Sequence, residues 1–267
     1  MDVTIREAVE HIRLEKLGPQ RLGFTFPRLT PEVQSLYRDL RVDLGDLLVF
    51  YPEFLDVRTE LGLHALFTGF EEGALGLLET NFEICREATS KNSEGSARRF
   101  PWQDAENRAY LRSLREYAYA LGRIGRHREA ICHAREVLRH DPTDHTAARE
   151  VLVRSLLHSA QHARVLEITG APGATSNVQL CLGKVLACVA LGWEEEAFYT
   201  LAEAYRSWPT TVEVLIWPGR SVICSDALIY PVTEQEQAGR YWLDNGLLWE
   251  QNPSAVRFVR RFLGARA

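Results

Sequence analysis

YLRSLREYAYALGRIGRHREAICHAREVLRHDPTD, residues 110–144, reads as two short amphipathic helices joined by a tight turn at Gly125 and stopped at Pro142. Its outline returns downstream. Gly125, Ala130 and Pro142 have counterparts at Gly192, Ala197 and Pro209, and all three pairs are 67 residues apart (192 − 125, 197 − 130, 209 − 142). That is close to twice a repeating unit of roughly 34 residues. Upstream, Gly62, Gly69 and Ala74 keep the offsets of 7 and 5 residues that separate Ala118, Gly125 and Ala130 (69 − 62 and 74 − 69; 125 − 118 and 130 − 125). The pattern predicts an all-α chain built as an α-α superhelix, a solenoid of stacked helix hairpins. Glycine at each turn permits a left-handed backbone. Ala118 and Ala130 are small where the two helices must cross, and Tyr117, Leu121, Ile131, Val137 and Leu138 supply bulk for the next hairpin.

Working outward, Asp2 caps a helix over 3–17, and Thr30-Pro31-Glu32 starts one that runs to about Phe50. Pro52 opens the first helix of the Gly69 hairpin, whose second helix runs to about Ala88. A polar stretch over 89–105 lacks helical period and reads as an exposed loop. Its length fits a binding role or a tolerated insertion. After residue 144, with Asp144 as cap, a helix over 146–158 is followed by a short partner over 163–168, a degenerate hairpin that doubles the visible period. Helices over 178–191 and 194–207 form the last clear hairpin, closed by Trp208-Pro209. A final pair over 234–250 and 253–263 caps the stack, because each hairpin leaves an apolar face that only a neighbour covers. The expected organisation is an N-terminal helical cap (1–51), repeats (52–218) and a C-terminal helical cap (219–267), forming one continuous unit.

Composition fits a folded chain: 267 residues, 46% apolar, 25% charged, net charge −5. The acidic balance argues against wholesale binding to nucleic acid or anionic membranes. The five cysteines (Cys85, Cys132, Cys181, Cys188, Cys224) are odd in number and widely spaced, with no C-x-x-C, and read as small core residues in a reducing compartment. The polar, helical start and the absence of an apolar run near 20 residues give a cytoplasmic expectation.

Residues 110–142 resemble a tetratricopeptide repeat, and 55–88 and 178–209 resemble two weaker ones. The run from Asn107 to Leu152 is further similar to bacterial tetratricopeptide proteins distantly related to the suppressor-of-tumorigenicity 7 family, on an aromatic entry (Phe100-Pro101-Trp102), Arg108-Ala109-Tyr110 and the exit Pro142-Thr143-Asp144. That exit departs from a Pro-Asn-Asp pattern. The Gly-Val-Arg expected after it is Ala147-Ala148-Arg149, with only the arginine kept. The resemblance implies a role in protein interaction.

In such a solenoid the first helix of each hairpin lines the concave surface. Arg108, Arg112, Arg115 and Tyr119 fall at spacings of 4, 3 and 4 (112 − 108, 115 − 112, 119 − 115) and share one helix face. Arg149 and Val153 are read as the matching positions on the next first helix, and Leu182 and Leu186 on the one after. The expectation is a partner-binding groove with a basic and an apolar end, suited to an acidic–hydrophobic peptide or a terminal carboxylate. Two other readings stand beside it. The arginines can pair with Glu116, Glu150 and other acids on a solvated face. They can also serve a nucleic-acid- or nucleotide-binding repeat, whose affinity would fall steeply with salt.

No phosphate loop, H-E-x-x-H, nucleophile elbow or kinase signature is present. His158 and His162 are four apart and could share a helix face, and Cys132-His133 is near in sequence, but no second pair completes a metal set. The expectation is no enzyme, no cofactor and no metal. The oligomeric state is left undecided.

Overall fold

The computed structural model of the chain describes residues 55–67, 70–90, 100–103, 105–170, 176–217 and 233–264. The helices expected over 3–17 and 30–50, the turn residue Gly69, Cys224 and most of the loop over 89–105 lie outside the described residues. Among the described residues all regular structure is helical, with no strand. The helices are α1 (Leu55–Phe67), α2 (Glu71–Ser90), α3 (Ala105–Arg123), α4 (His127–His140), α5 (Ala148–His158), α6 (His162–Thr169), α7 (Val178–Ala190), α8 (Glu194–Ser207), α9 (Pro209–Val214), α10 (Glu234–Glu250) and α11 (Pro253–Gly264). No described helix is long and apolar enough to cross a membrane. The chain divides into two compact units; among the described residues the first ends at Leu152 and the second begins at Val153, within α5.

Four hairpins share one turn. The amide after the turn residue reaches back five residues to the preceding helix: Phe70 to the Ala65 carbonyl (2.8 Å), Arg126 to Leu121 (2.8 Å), Gln161 to Leu156 (2.9 Å) and Trp193 to Cys188 (2.9 Å). The next helix then starts with the same bond in each case, from Ala74, Ala130, Val165 and Ala197 to those four residues. Such a six-residue closure requires a left-handed residue just before the donor. Gly125 (φ +84°) and Gly192 (φ +75°) supply it, as expected, and in the degenerate hairpin Ala160 does so at φ +53°.

In the first unit α1 packs on α2 and α3, α2 on α3, and α3 on α4. Gly62 lets α1 approach α2; a Cβ there would stand 2.6 Å from Leu78 Cγ. The equivalent residue in the next hairpin is the fully buried Ala118. A polar network is sealed inside. Asn81 of α2 donates to the Leu55 carbonyl (2.8 Å) and Thr59 Oγ1 (2.9 Å), and its own Oδ1 accepts from Arg58 (3.1 Å). Thr59 also hydrogen-bonds Ser113 of α3 (2.9 Å). Asp144 caps α5 through the amides of Ala148 (2.6 Å) and Arg149 (3.2 Å), so the helix starts two residues later than the sequence predicts.

In the second unit α7 is central, packing on α6, α8, α10 and α11. Gly183 brings it against the middle of α5; a Cβ there would lie 2.7 Å from Val153 Cγ1. Trp208-Pro209 does not simply close a hairpin. Pro209 is the first residue of α9, where its missing N–H costs nothing. The last pair matches the expectation to within one residue. Its start is fixed by a capping box in which Glu236 N donates to Thr233 Oγ1 (3.3 Å) and Thr233 N to Glu236 Oε2 (2.9 Å).

Candidate functional site

The arginines of α3 serve the fold of the first unit. Arg108 donates to the carbonyls of Trp102 (2.8 Å) and Gln103 (3.3 Å) and lies over the Trp102 ring, fastening the entry loop. Trp102 in turn stacks on His145 with centroids 5.4 Å apart. Arg112 pairs with Asp56 of α1 (2.9 Å). Arg115, with its side chain 16% exposed, grips both oxygens of Glu116 (2.8 Å each) and covers the Tyr119 ring at 5.1 Å. Burial alone lowers the Arg115 pKa, but the carboxylates of Glu116 and Glu150 more than offset it and hold the guanidinium above its ordinary value. Arg149 turns back to the Pro142 carbonyl (2.9 Å) and Asp144 (3.7 Å).

The apolar end of the expected groove is core. Tyr119 in the first unit and Val153, Leu182 and Leu186 in the second are 2, 2, 0 and 4% exposed. Their side chains are buried and present no open surface to a partner. The turns also correct the register. Gln161 follows Arg126 by 35 residues (161 − 126), so the positions matching Arg115 and Tyr119 are Glu150 and Arg154; Arg149 and Val153 stand one residue off. Arg154 is buried near Asp244 (3.7 Å). His158 and His162 do not share a helix, because the turn at Ala160 ends α5 between them. Among the described residues no three His, Cys, Asp or Glu side chains gather as a metal set.

What reaches solvent is a different surface. At the α7–α8 turn Trp193 is 55% exposed, Tyr199 63% and Phe198 45%, with Leu191 beside them in sequence. The turn bond to Cys188 fixes the backbone of Trp193 while its side chain points outward. Phe198 is held edge-on against Phe262 of α11 (5.4 Å) and Tyr199 (6.2 Å), so it is an ordered shoulder. Glu194, Glu195 and Glu196 fill the first turn of α8, where the helix dipole favours acids. Glu194 reaches Arg261 (3.4 Å) and Glu196 pairs with Lys184. In the first unit the residue equivalent to Trp193 is Phe70, which is also exposed and lies along Gly73. Sequence reasoning missed these aromatics. Trp193 stands four residues before the buried Ala197, so the helical period places it on the buried side, and Phe198, next to Ala197, falls at the border of that side.

Among the described cysteines, Cys85, Cys181 and Cys188 are buried and Cys132 is exposed. Burial pushes the Cys85 thiol up to about 12 and the Cys181 thiol up to about 11, which makes both inert. Compared with known proteins, the chain matches no family model, no curated protein and no solved structure.

Proposed function

We propose that the chain is a tetratricopeptide-like helical repeat that binds a protein or peptide without catalysis, using the exposed aromatic edge of the α7–α8 hairpin. The reading of a solenoid is supported by the four equivalent turns and by the way α3 packs on both members of the preceding hairpin, α1 and α2. The reading of a binding edge rests on one observation: Trp193, Phe198 and Tyr199 stay exposed within one turn and a half of a fixed hairpin. Exposed aromatics close together in sequence on an ordered frame have the composition of an interaction hot spot. Glu195, exposed at the start of α8 and outside the pairs that engage Glu194 and Glu196, fits a partner that presents a basic group beside apolar side chains.

The α3 arginines contribute little to this reading, since Arg108, Arg112 and Arg115 are already engaged inside their own unit. Capture from the native cell with wild type, Trp193→Ala/Tyr199→Ala and Arg112→Ala separates the surfaces. The aromatic variant loses the partner at any salt concentration, and Arg112→Ala keeps it. Equal retention by the aromatic variant and wild type would remove this edge as the binding surface.

A further inference from the structure

The second unit holds a cleft of about 500 Å³ on the side of α11 that carries Arg257 and Arg260. Its apolar floor is Leu215 and Ile216, at the end of α9, with Trp242 of α10 and Val256 of α11. The floor is built rather than incidental. A Cβ on Gly246 would lie 2.8 Å from Trp242 Cε2, so the indole rests on bare helix backbone one turn along. Leu215 and Ile216 are themselves buried, which fixes them as a base.

Arg257 and Arg260 complete the lining. They are three residues apart on α11 and therefore on one face. Both are exposed, and neither makes an ion pair among the described residues. Arg261, next in sequence, is turned away to Glu194 and the Phe258 ring. Two uncommitted guanidinium groups beside an apolar floor form a complementary pair of features: one suits a flat or short-chain hydrocarbon body, the other a carboxylate that accepts paired N–H donors. The volume matches a small-molecule site. Glu250 also lines the cleft and repels a second acidic group, so the anionic end seats towards Arg257 and Arg260.

The geometry points to a binding site for an amphipathic monocarboxylic acid, a small molecule with an aromatic or short alkyl body and one acid group. This site is separate from the aromatic edge at Trp193 and does not depend on it.

The test uses the full chain and two probes, 1-naphthoate and its neutral analogue 1-naphthamide, followed by calorimetry. Wild type binds naphthoate saturably at one site and naphthamide about ten-fold more weakly. Arg257→Ala/Arg260→Ala, which alters only exposed side chains, brings naphthoate down to the naphthamide level. Val256→Trp fills the cleft, keeps both arginines and abolishes both. No saturable naphthoate binding by wild type, or unchanged naphthoate binding by the double arginine variant, overturns the proposal.

Discussion

At the residue scale the turn positions carry the clearest physics. Ala160 occupies a left-handed conformation that a Cβ disfavours by about 1–2 kcal/mol. Ala160→Gly should therefore stabilise the protein by about 0.5–1 kcal/mol, part of the gain being cancelled by the freer unfolded chain. Urea unfolding checks this, and Gly125→Ala should move the midpoint the other way. Asp141 gives a pH prediction. Burial alone raises its pKa, but hydrogen bonds from Thr143 (2.6 Å) and the His145 amide (2.7 Å), with the His145 ring at 3.0 Å, outweigh burial and hold the carboxyl below its ordinary 3.8. A depressed native pKa stabilises fully above the unfolded value, and that contribution is lost as pH falls through the native one. Asp141→Asn should cost about 1–3 kcal/mol at pH 7. It should also flatten the loss of stability below about pH 4 in thermal melts.

The same residues explain what could be read ahead of the structure. Gly125 and Gly192 were legible because a left-handed turn selects glycine. Ala160 was not, because nothing in an alanine marks that conformation, and the missing marker shifted the middle hairpin's register by one residue. Arg149 was matched to Arg115 for that reason, where Glu150 belongs.

At the element scale the hairpins were legible from their period, and their ends from Asp144 and the prolines. Pro209 was legible as the end of α8 and not as the start of α9, because a proline that stops one helix can equally begin another. The sides of α7 and α8 were hidden, since α7 is apolar nearly all round and its burial depends on which helices surround it. The close approach at Gly183 makes this testable. Gly183→Ala should destabilise by about 1–3 kcal/mol through its clash with Val153. Adding Val153→Ala should recover part of that loss, a coupling that a double-mutant cycle reads directly. Between α1, α2 and α3, Asn81→Leu should cost about 2–4 kcal/mol, because it removes the amide that links Leu55, Thr59 and Arg58 in a sealed interior.

At the scale of the whole molecule, the two units each repeat the same hairpin turn, and each exposes an aromatic at the same position of it, Phe70 and Trp193. Composition and charge bounded the function class, but they did not show which side chains the fold leaves outside. The arginine stripe looked available because sequence does not reveal Asp56, Glu116 or the Trp102 carbonyl waiting for it. The aromatic edge became visible only once Phe262 of α11 was seen to pack on Phe198 and to leave Trp193 and Tyr199 bare. The most direct measurement places a photo-reactive benzoyl-phenylalanine at position 193, or at position 112, and irradiates the protein in its native cell. The account predicts a discrete cross-linked partner from position 193 and none from position 112. A partner cross-linked from position 112, with none from 193, would contradict it.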